Sequence, residues 1–131
     1  MLRTGVKGEA ALRVTTANTA LAHGSGELEV LATPALAALV EKACWQSIAD
    51  ALDNGESTVG TKLVLAHTAP TPIGMVVRCE TELTDIQERK LTFTARMMDE
   101  VGEIGHATHE RYIVDAERFQ NKANRKQGQQ G

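Results

Sequence analysis

The sequence predicts an α+β domain in which an antiparallel sheet of about five strands wraps around one long helix. Three observations carry that prediction. Residues 33–52 have a helical pattern with both a start and a stop signal. Four extended stretches follow, joined by short turns, and one further extended stretch precedes the helix. With 131 residues there is room for one domain and one modest core.

Residues 8–16 read as the first strand, with Leu12 and Val14 on one face and Arg13 and Thr15 on the other. Residues 17–27 read as a loop, flexible at His23-Gly24-Ser25-Gly26, and residues 28–31 as a short extended piece. Thr33 suits an N-cap, and Pro34 suits the first helical position, where a missing N–H costs nothing. Asp53-Asn54-Gly55 then stops the helix. Strands are expected over 58–68, 75–84, 90–99 and 103–119. They are parted by Pro70-Thr71-Pro72-Ile73-Gly74, by residues 85–89 and by residues 99–102. Short strands joined in this way make an antiparallel meander. Residues 122–131 are polar and rich in Gln and Gly, so the expected layout is a domain over 1–120 and a frayed tail over 121–131.

Composition narrows the function. Net charge is −3, and no basic run resembles a nucleic-acid footprint. Met1 to Ala10 contains Arg3, Lys7 and Glu9 and no apolar stretch, so no signal peptide is expected, and no apolar run reaches the length of a membrane span. Cys44 and Cys79 match no metal pattern and read as reduced thiols of a cytoplasmic protein. Aromatics make up only 3% of the chain. A core without aromatic mass points toward an oligomer.

At 100° per residue, Leu36, Val40, Ala43, Ser47, Ile48 and Ala51 form one apolar stripe, widened by Ala37 and Cys44. Ala38, Trp45, Ala49 and Leu52 cover the opposite side, which leaves Lys42, Gln46 and Asp50 as a narrow polar stripe. A surface helix has a wider polar face than this, so the helix is expected to be enclosed by the sheet and by a second subunit. Glu41 falls in the apolar sector. Burial would raise the pKa of its carboxyl toward the range useful for an acid or base. The plainer alternative is a stem that packs while the head reaches water.

Along 58–68 the period of two puts Val59, Thr61, Leu63, Leu65 and His67 on one face and Gly60, Lys62 and Val64 on the other. The Leu63/Leu65 face is the one expected to meet the helix, which turns His67 inward beside the Pro-rich turn. There it is either a core histidine bonded to backbone or a group titrating near neutrality at a pocket edge. His106 and His109 are three apart on a strand and face opposite ways, so they share no metal and read as structural or solvent-facing. Ser25 lacks a nucleophile-elbow context. Lys122, Arg125 and Lys126 are cations that could touch a phosphate, though a solvated tail is the simpler reading.

Three motifs together carry a resemblance. Val30-Leu31-Ala32-Thr33-Pro34 with Val40-Glu41-Lys42-Ala43-Cys44 is similar to the helix entry of fluoroacetyl-CoA thioesterases and their relatives. Val59-Gly60-Thr61 with Ala66-His67-Thr68-Ala69-Pro70 and the turn to Met75 resembles that family's next strand. Ile104-Gly105 with Thr108-His109-Glu110-Arg111 resembles its last strand. The resemblance spans residues 28–121. It implies the hot-dog fold and acyl-CoA thioester hydrolysis, a chemistry that requires no cofactor or metal, while the enclosed helix makes a homodimer the expected assembly. The resemblance also implies a catalytic Thr, Glu and His at Thr33, Glu41 and His67, with a pocket glycine at Gly60. The fluoroacetyl-specific enzyme has lid aromatics ahead of the threonine, whereas residues 24–30 here contain none, so the resemblance implies a more generic acyl thioester.

In that chemistry His67 would deprotonate water or Thr33. Glu41 would orient His67 or attack the acyl carbon itself, and Thr33 would hold substrate and water or act as nucleophile. The helix start would supply oxyanion donors. Pro34 has no N–H, which leaves Ala35 or Leu36. A hot-dog domain that only binds an acyl-CoA or small hydrophobic ligand is the alternative, and a hydratase is a third reading of the same fold.

Overall fold

The computed structural model describes residues 2–129. Five strands form one antiparallel sheet: β1 Lys7–Arg13, β2 Glu56–His67, β3 Val76–Gln87, β4 Lys90–Met98 and β5 Glu103–Asp115. Their order in the sheet is β1-β3-β4-β5-β2. The expected meander is present as β3-β4-β5, but β2 pairs with β5 rather than with its neighbour in sequence, β3. The Pro-rich turn carries the chain across. It is tied down by Leu31 N–H donating to Thr71 O at 2.9 Å and by a bridge between Val30 and Pro72.

The long helix is α2, Thr33–Ile48, prolonged by a 3-10 turn over Ala49–Ala51. Its N-cap is Ala32, one residue earlier than expected, and no side chain caps it. Thr33 is instead the first helical residue, and its hydroxyl meets His67 rather than a helix N–H. Leu36, Val40, Ala43, Cys44 and Ile48 pack onto Val77, Cys79 and Leu83 of β3 and Phe93 and Met97 of β4, all buried. Helix and sheet approach closely at Gly8, where a Cβ would sit 2.6 Å from the carbonyl oxygen of Ala43. The expected enclosure on all sides is not met within one chain. Ala38, Lys42, Trp45, Gln46 and Ala49 are exposed together, so one side of α2 is open.

Two stretches are more ordered than their composition suggested. Residues 17–27 contain most of a 3-10 turn, Thr16–Asn18, and a short helix α1, Ala20–His23. The hydroxyls of Thr15 and Thr19 cap these turns, and Gly24 ends α1 at φ 71°. Residues 121–129 are helical rather than frayed. Helix α3, Ala116–Asn124, starts where Asp115 accepts the Arg118 N–H at 3.0 Å, and a 3-10 turn over Arg125–Gln129 continues it. The last strand consequently ends at Asp115 rather than at residue 119.

The feature that most affects the site is a bulge in β2. Gly60 pairs with Arg111, but Lys62 pairs with Glu110, so Thr61 is an extra residue in the ladder. Thr58 and Gly60 therefore face inward ahead of the bulge, and Leu63, Leu65 and His67 face inward after it. Unbroken alternation had put Gly60 on the outer face.

Candidate active site

Two groups of polar side chains face inward, one at each end of the α2–β2 contact. The first lies at the start of α2. The Pro-rich turn returns the end of β2 to the helix entry, and Thr33 Oγ1 and His67 Nδ1 meet there at 2.8 Å. His67 is half-buried, and its Nε2 is fully buried with no hydrogen-bond partner among the described residues. Burial holds the imidazole below the usual histidine value, partly offset by the Ala69 backbone. The neutral ring can therefore accept the Thr33 hydroxyl proton at Nδ1 when Nε2 carries the hydrogen. The pair lines a cleft of about 300 Å³ together with Ser25, Val30, Ala69 and Pro70. No aromatic side chain lines it.

The amides expected to serve an oxyanion differ in availability. Leu36 N–H already donates to Ala32 O at 3.1 Å, so it is not a free donor. Ala35, one position nearer the helix start, keeps that role open. Both side chains are buried against the core.

The second group lies two helical turns further along. Glu41 Oε1 stands 3.5 Å from Arg111 Nη1. The Arg111 side chain is only 7% exposed while the Glu41 side chain is 45% exposed, so the carboxylate reaches outward from a buried cation. Arg111 is fixed by Nε donating to Thr58 Oγ1 at 2.9 Å and Nη2 donating to Thr58 O at 3.0 Å. Its Nη1 lies 3.0 Å from His109 Nε2, and His109 Nδ1 lies 2.8 Å from Lys62 O. A carbonyl only accepts, so Nδ1 carries the hydrogen and Nε2 accepts from the guanidinium. His109 is thus neutral, and burial together with the adjacent cation holds its pKa below the usual value. Gly60 closes this group. A Cβ there would lie 2.7 Å from Glu41 Oε1 and 3.2 Å from Arg111 Nη1, so only glycine lets the carboxylate sit against the strand.

The structure thus brings Thr33 to His67, and Glu41 to Gly60, but it does not bring Glu41 to His67 within the chain. Eight helical residues separate Thr33 from Glu41, roughly 12 Å along the axis. Reasoning from sequence missed Thr58, His109 and Arg111 as a unit. Alternation along β5 from the buried Ala107 gives His109 and Arg111 the same inward face, and that was the available signal. His106 is exposed on the outer face, and no group of His, Cys, Asp or Glu suited to a metal occurs among the described residues. Cys44 and Cys79 are free and buried, and burial pushes both thiols up to about 12. No helix of the described residues is long and apolar enough to cross a membrane.

Comparison with known proteins agrees with this layout. The family described as fluoroacetyl-CoA-specific thioesterase matches residues 14–117. The fluoroacetyl-CoA thioesterase of Streptantibioticus cattleyicolor is 39% identical over 98 residues, which cover 75% of this chain and 70% of that protein. A solved structure of the fluoroacetyl-CoA thioesterase FlK superposes with a TM-score of 0.89 at 32% identity, over 96% of this chain and 98% of that one. A thioesterase-superfamily member from Thermus thermophilus superposes at 0.90 with 21% identity, over 98% of this chain and 96% of that one, and supports the fold alone. A curled five-stranded antiparallel sheet around one long helix is the hot-dog fold, and the chain belongs to the fluoroacetyl-CoA-specific thioesterase family, hydrolases acting on acyl-CoA thioesters.

Proposed function

We propose that this protein hydrolyses the thioester of a compact acyl-CoA to free acid and thiol, with His67 as general base. The observation that carries this is the 2.8 Å contact between Thr33 Oγ1 and a neutral, half-buried His67 in a small cleft at the helix start. His67 takes a proton from water held by Thr33, and that water attacks the acyl carbon. The oxyanion forms near the Ala35 N–H, and the departing thiolate receives the proton from His67. Glu41, anchored on Arg111 and facing Gly60, orients and charge-stabilises the imidazolium. Thr33 positions rather than attacks, since a threonine hydroxyl is a weak nucleophile. The absence of aromatics around the cleft favours a generic small acyl group over fluoroacetyl.

In this reading the working form is a homodimer. β2 is an edge strand with exposed Val64 and half-buried Leu63 and Leu65. An unpaired apolar edge invites a second copy. Antiparallel pairing of two β2 edges about the midpoint between Leu63 and Val64 sets His67 of one chain opposite Gly60 of the other. Each active site then takes Thr33 and His67 from one subunit and Glu41 from its partner. Two free cysteines suit the cytoplasm as its compartment.

The test is thiol release across a panel of acyl-CoAs, from acetyl and fluoroacetyl to longer chains. Turnover of small acyl groups without a fluoroacetyl preference is expected. Acyl-CoA binding with no thiol released from any member would reduce the protein to a binding domain.

A further inference from the structure

The Thr33–His67 contact joins residues 34 apart in sequence. What holds their two segments in register is the β4–β5 hairpin, whose loop lies against the Pro-rich turn. His67 ends β2, and the next two residues are tied to the hairpin directly. The Thr68 and Ala69 N–H groups both donate to Ile104 O, at 2.7 and 3.3 Å. Thr33 is tied to it through an intermediate. Leu31 N–H, two residues ahead of Thr33, donates to Thr71 O at 2.9 Å, and the Thr71 hydroxyl donates to Asp99 Oδ2 at 2.8 Å. One short stretch, residues 99–104, therefore anchors both members of the pair.

Thr71 stands between Pro70 and Pro72, neither of which has an N–H to donate. Its hydroxyl supplies the donor that those prolines withhold from the hairpin. The side chain is fully buried, where a hydroxyl without a partner would be costly. Asp99 is as firmly set. Its Oδ1 accepts the Val101 N–H at 2.8 Å and the Gly102 N–H at 3.1 Å, and its own N–H donates to Gly102 O at 2.9 Å. Burial pushes the Asp99 carboxyl up, but the two amides and the Thr71 hydroxyl outweigh it and hold the group below the usual carboxylate value. The acceptor is thus an anion, which makes the bond to Thr71 charge-assisted and stronger than a neutral one. The loop's own turn is closed by Oδ1, while Oδ2 serves the Pro-rich turn. Glu100 adds a tie on the far side of that turn, accepting the Val76 N–H at 2.8 Å.

We propose that Thr71 and Asp99 are positioning residues for the hydrolysis: acting through Leu31, their hydrogen bond sets where the Thr33 hydroxyl stands relative to the His67 ring. Neither side chain lines the cleft that holds Thr33 and His67, so their effect reaches the reaction only through that placement. A misplacement of about 1 Å at a reacting group is enough to cost on the order of 100-fold in rate. The assignment deepens the thioesterase reading and rests on it for any effect on turnover.

The experiment measures kcat and KM for acetyl-CoA hydrolysis, alongside an NMR titration of the His67 ring. Thr71→Val keeps the shape of the buried side chain and removes its donor. It is expected to lower kcat by about tenfold or more while KM stays within about twofold, and Thr71→Ser is expected to restore most of the rate. In wild type the His67 ring titrates below 6.5, and in Thr71→Val it is expected to move up toward 6.5 as water reaches the loosened pair. Asp99→Ala, at a half-buried loop position, carries the same two expectations should Thr71→Val not fold. Combining the two substitutions is expected to cost no more than the larger single loss, because both break one bond. Variants that lose thermal midpoint yet turn over as wild type overturn the proposal, since the bond then only stabilises the loop. Additive losses overturn it too, and so does a His67 titration that stays put. A protein that hydrolyses no thioester, but whose His67 titration shifts in Thr71→Val and returns in Thr71→Ser, would uphold the link and sink the hydrolase. Hydrolysis that both substitutions leave untouched would uphold the hydrolase and sink the link.

Discussion

The two inward-facing polar groups are built on different principles. At the start of α2, Thr33 and His67 share a single hydrogen bond at an open cleft. Around Glu41, the Arg111 guanidinium is held from every nitrogen, and His109 and Gly60 fill the remaining space. The first group is free to exchange a proton with a nucleophile because little else claims it. The second fixes its cation at every nitrogen, while the Glu41 carboxylate meets that cation in one ion pair at 3.5 Å and its side chain stays 45% exposed. The contrast implies that substitutions in the first group remove activity with little cost in stability, whereas substitutions in the second cost both.

The sharpest test is His67→Ala, which should lower kcat by at least ~100-fold, the scale of general-base catalysis, with only a small change in thermal midpoint. Glu41→Gln should lower kcat comparably while KM moves little; a variant that turns over normally would leave Glu41 as packing. Mixing these two inactive proteins sharpens the comparison further. If each site is shared across a two-fold axis, mixed dimers contain one intact site in two, and activity should return to roughly a quarter of wild type. No recovery after verified subunit exchange would place both residues in one subunit's site.

Arg111→Met should be the largest stability effect of the set. It leaves Thr58 and His109 without their donor, at a cost of about 1–3 kcal/mol in urea unfolding. A midpoint equal to wild type would show the network to be slack.

Acidity gives a smaller effect with a definite sign. His67 and His109 both titrate below the ordinary 6.5 in the folded chain. The unfolded chain therefore takes up protons first as the pH falls. The stability these two rings contribute is complete above 6.5 and is lost as the pH drops from there through their folded values. The acid limb of kcat/KM should likewise fall below 6.5, and His67→Ala should erase it. Smallest of all, Thr33→Ser should stay within a few-fold of wild type because it keeps the hydroxyl; loss on the scale of the His67 variant would make Thr33 the nucleophile.

Much of this arrangement was legible beforehand. The α2 helix announced itself through Pro34 and the Asp53-Asn54-Gly55 stop, and the strands through alternation and turn residues. His67 at a strand end beside the Pro-rich turn, and Thr33 at the helix entry, were both in plain view. The bulge was not, because neither Thr61 nor Lys62 marks an insertion, and a period-two reading carries straight through it. Thr33 looked like an N-cap because the sequence cannot show its hydroxyl spent on His67. From Ala116 onward the only apolar residues are Ala116, Phe119 and Ala123; they share a helical face but none is buried, and the polar remainder of the stretch read as a strand end and a tail.

Thr61 has a consequence of its own. It changes the parity of β2: even-numbered residues point at the helix before it and odd-numbered residues after it. Gly60 and His67 have opposite parity and yet face the same interior only because one residue has been slipped between them. Excising Thr61 would leave every other side chain in place along the chain and still turn one of the two outward. A single uncharged, exposed threonine thus synchronises two halves of one strand, and any shortening or lengthening of β2 that persists must come in steps of two.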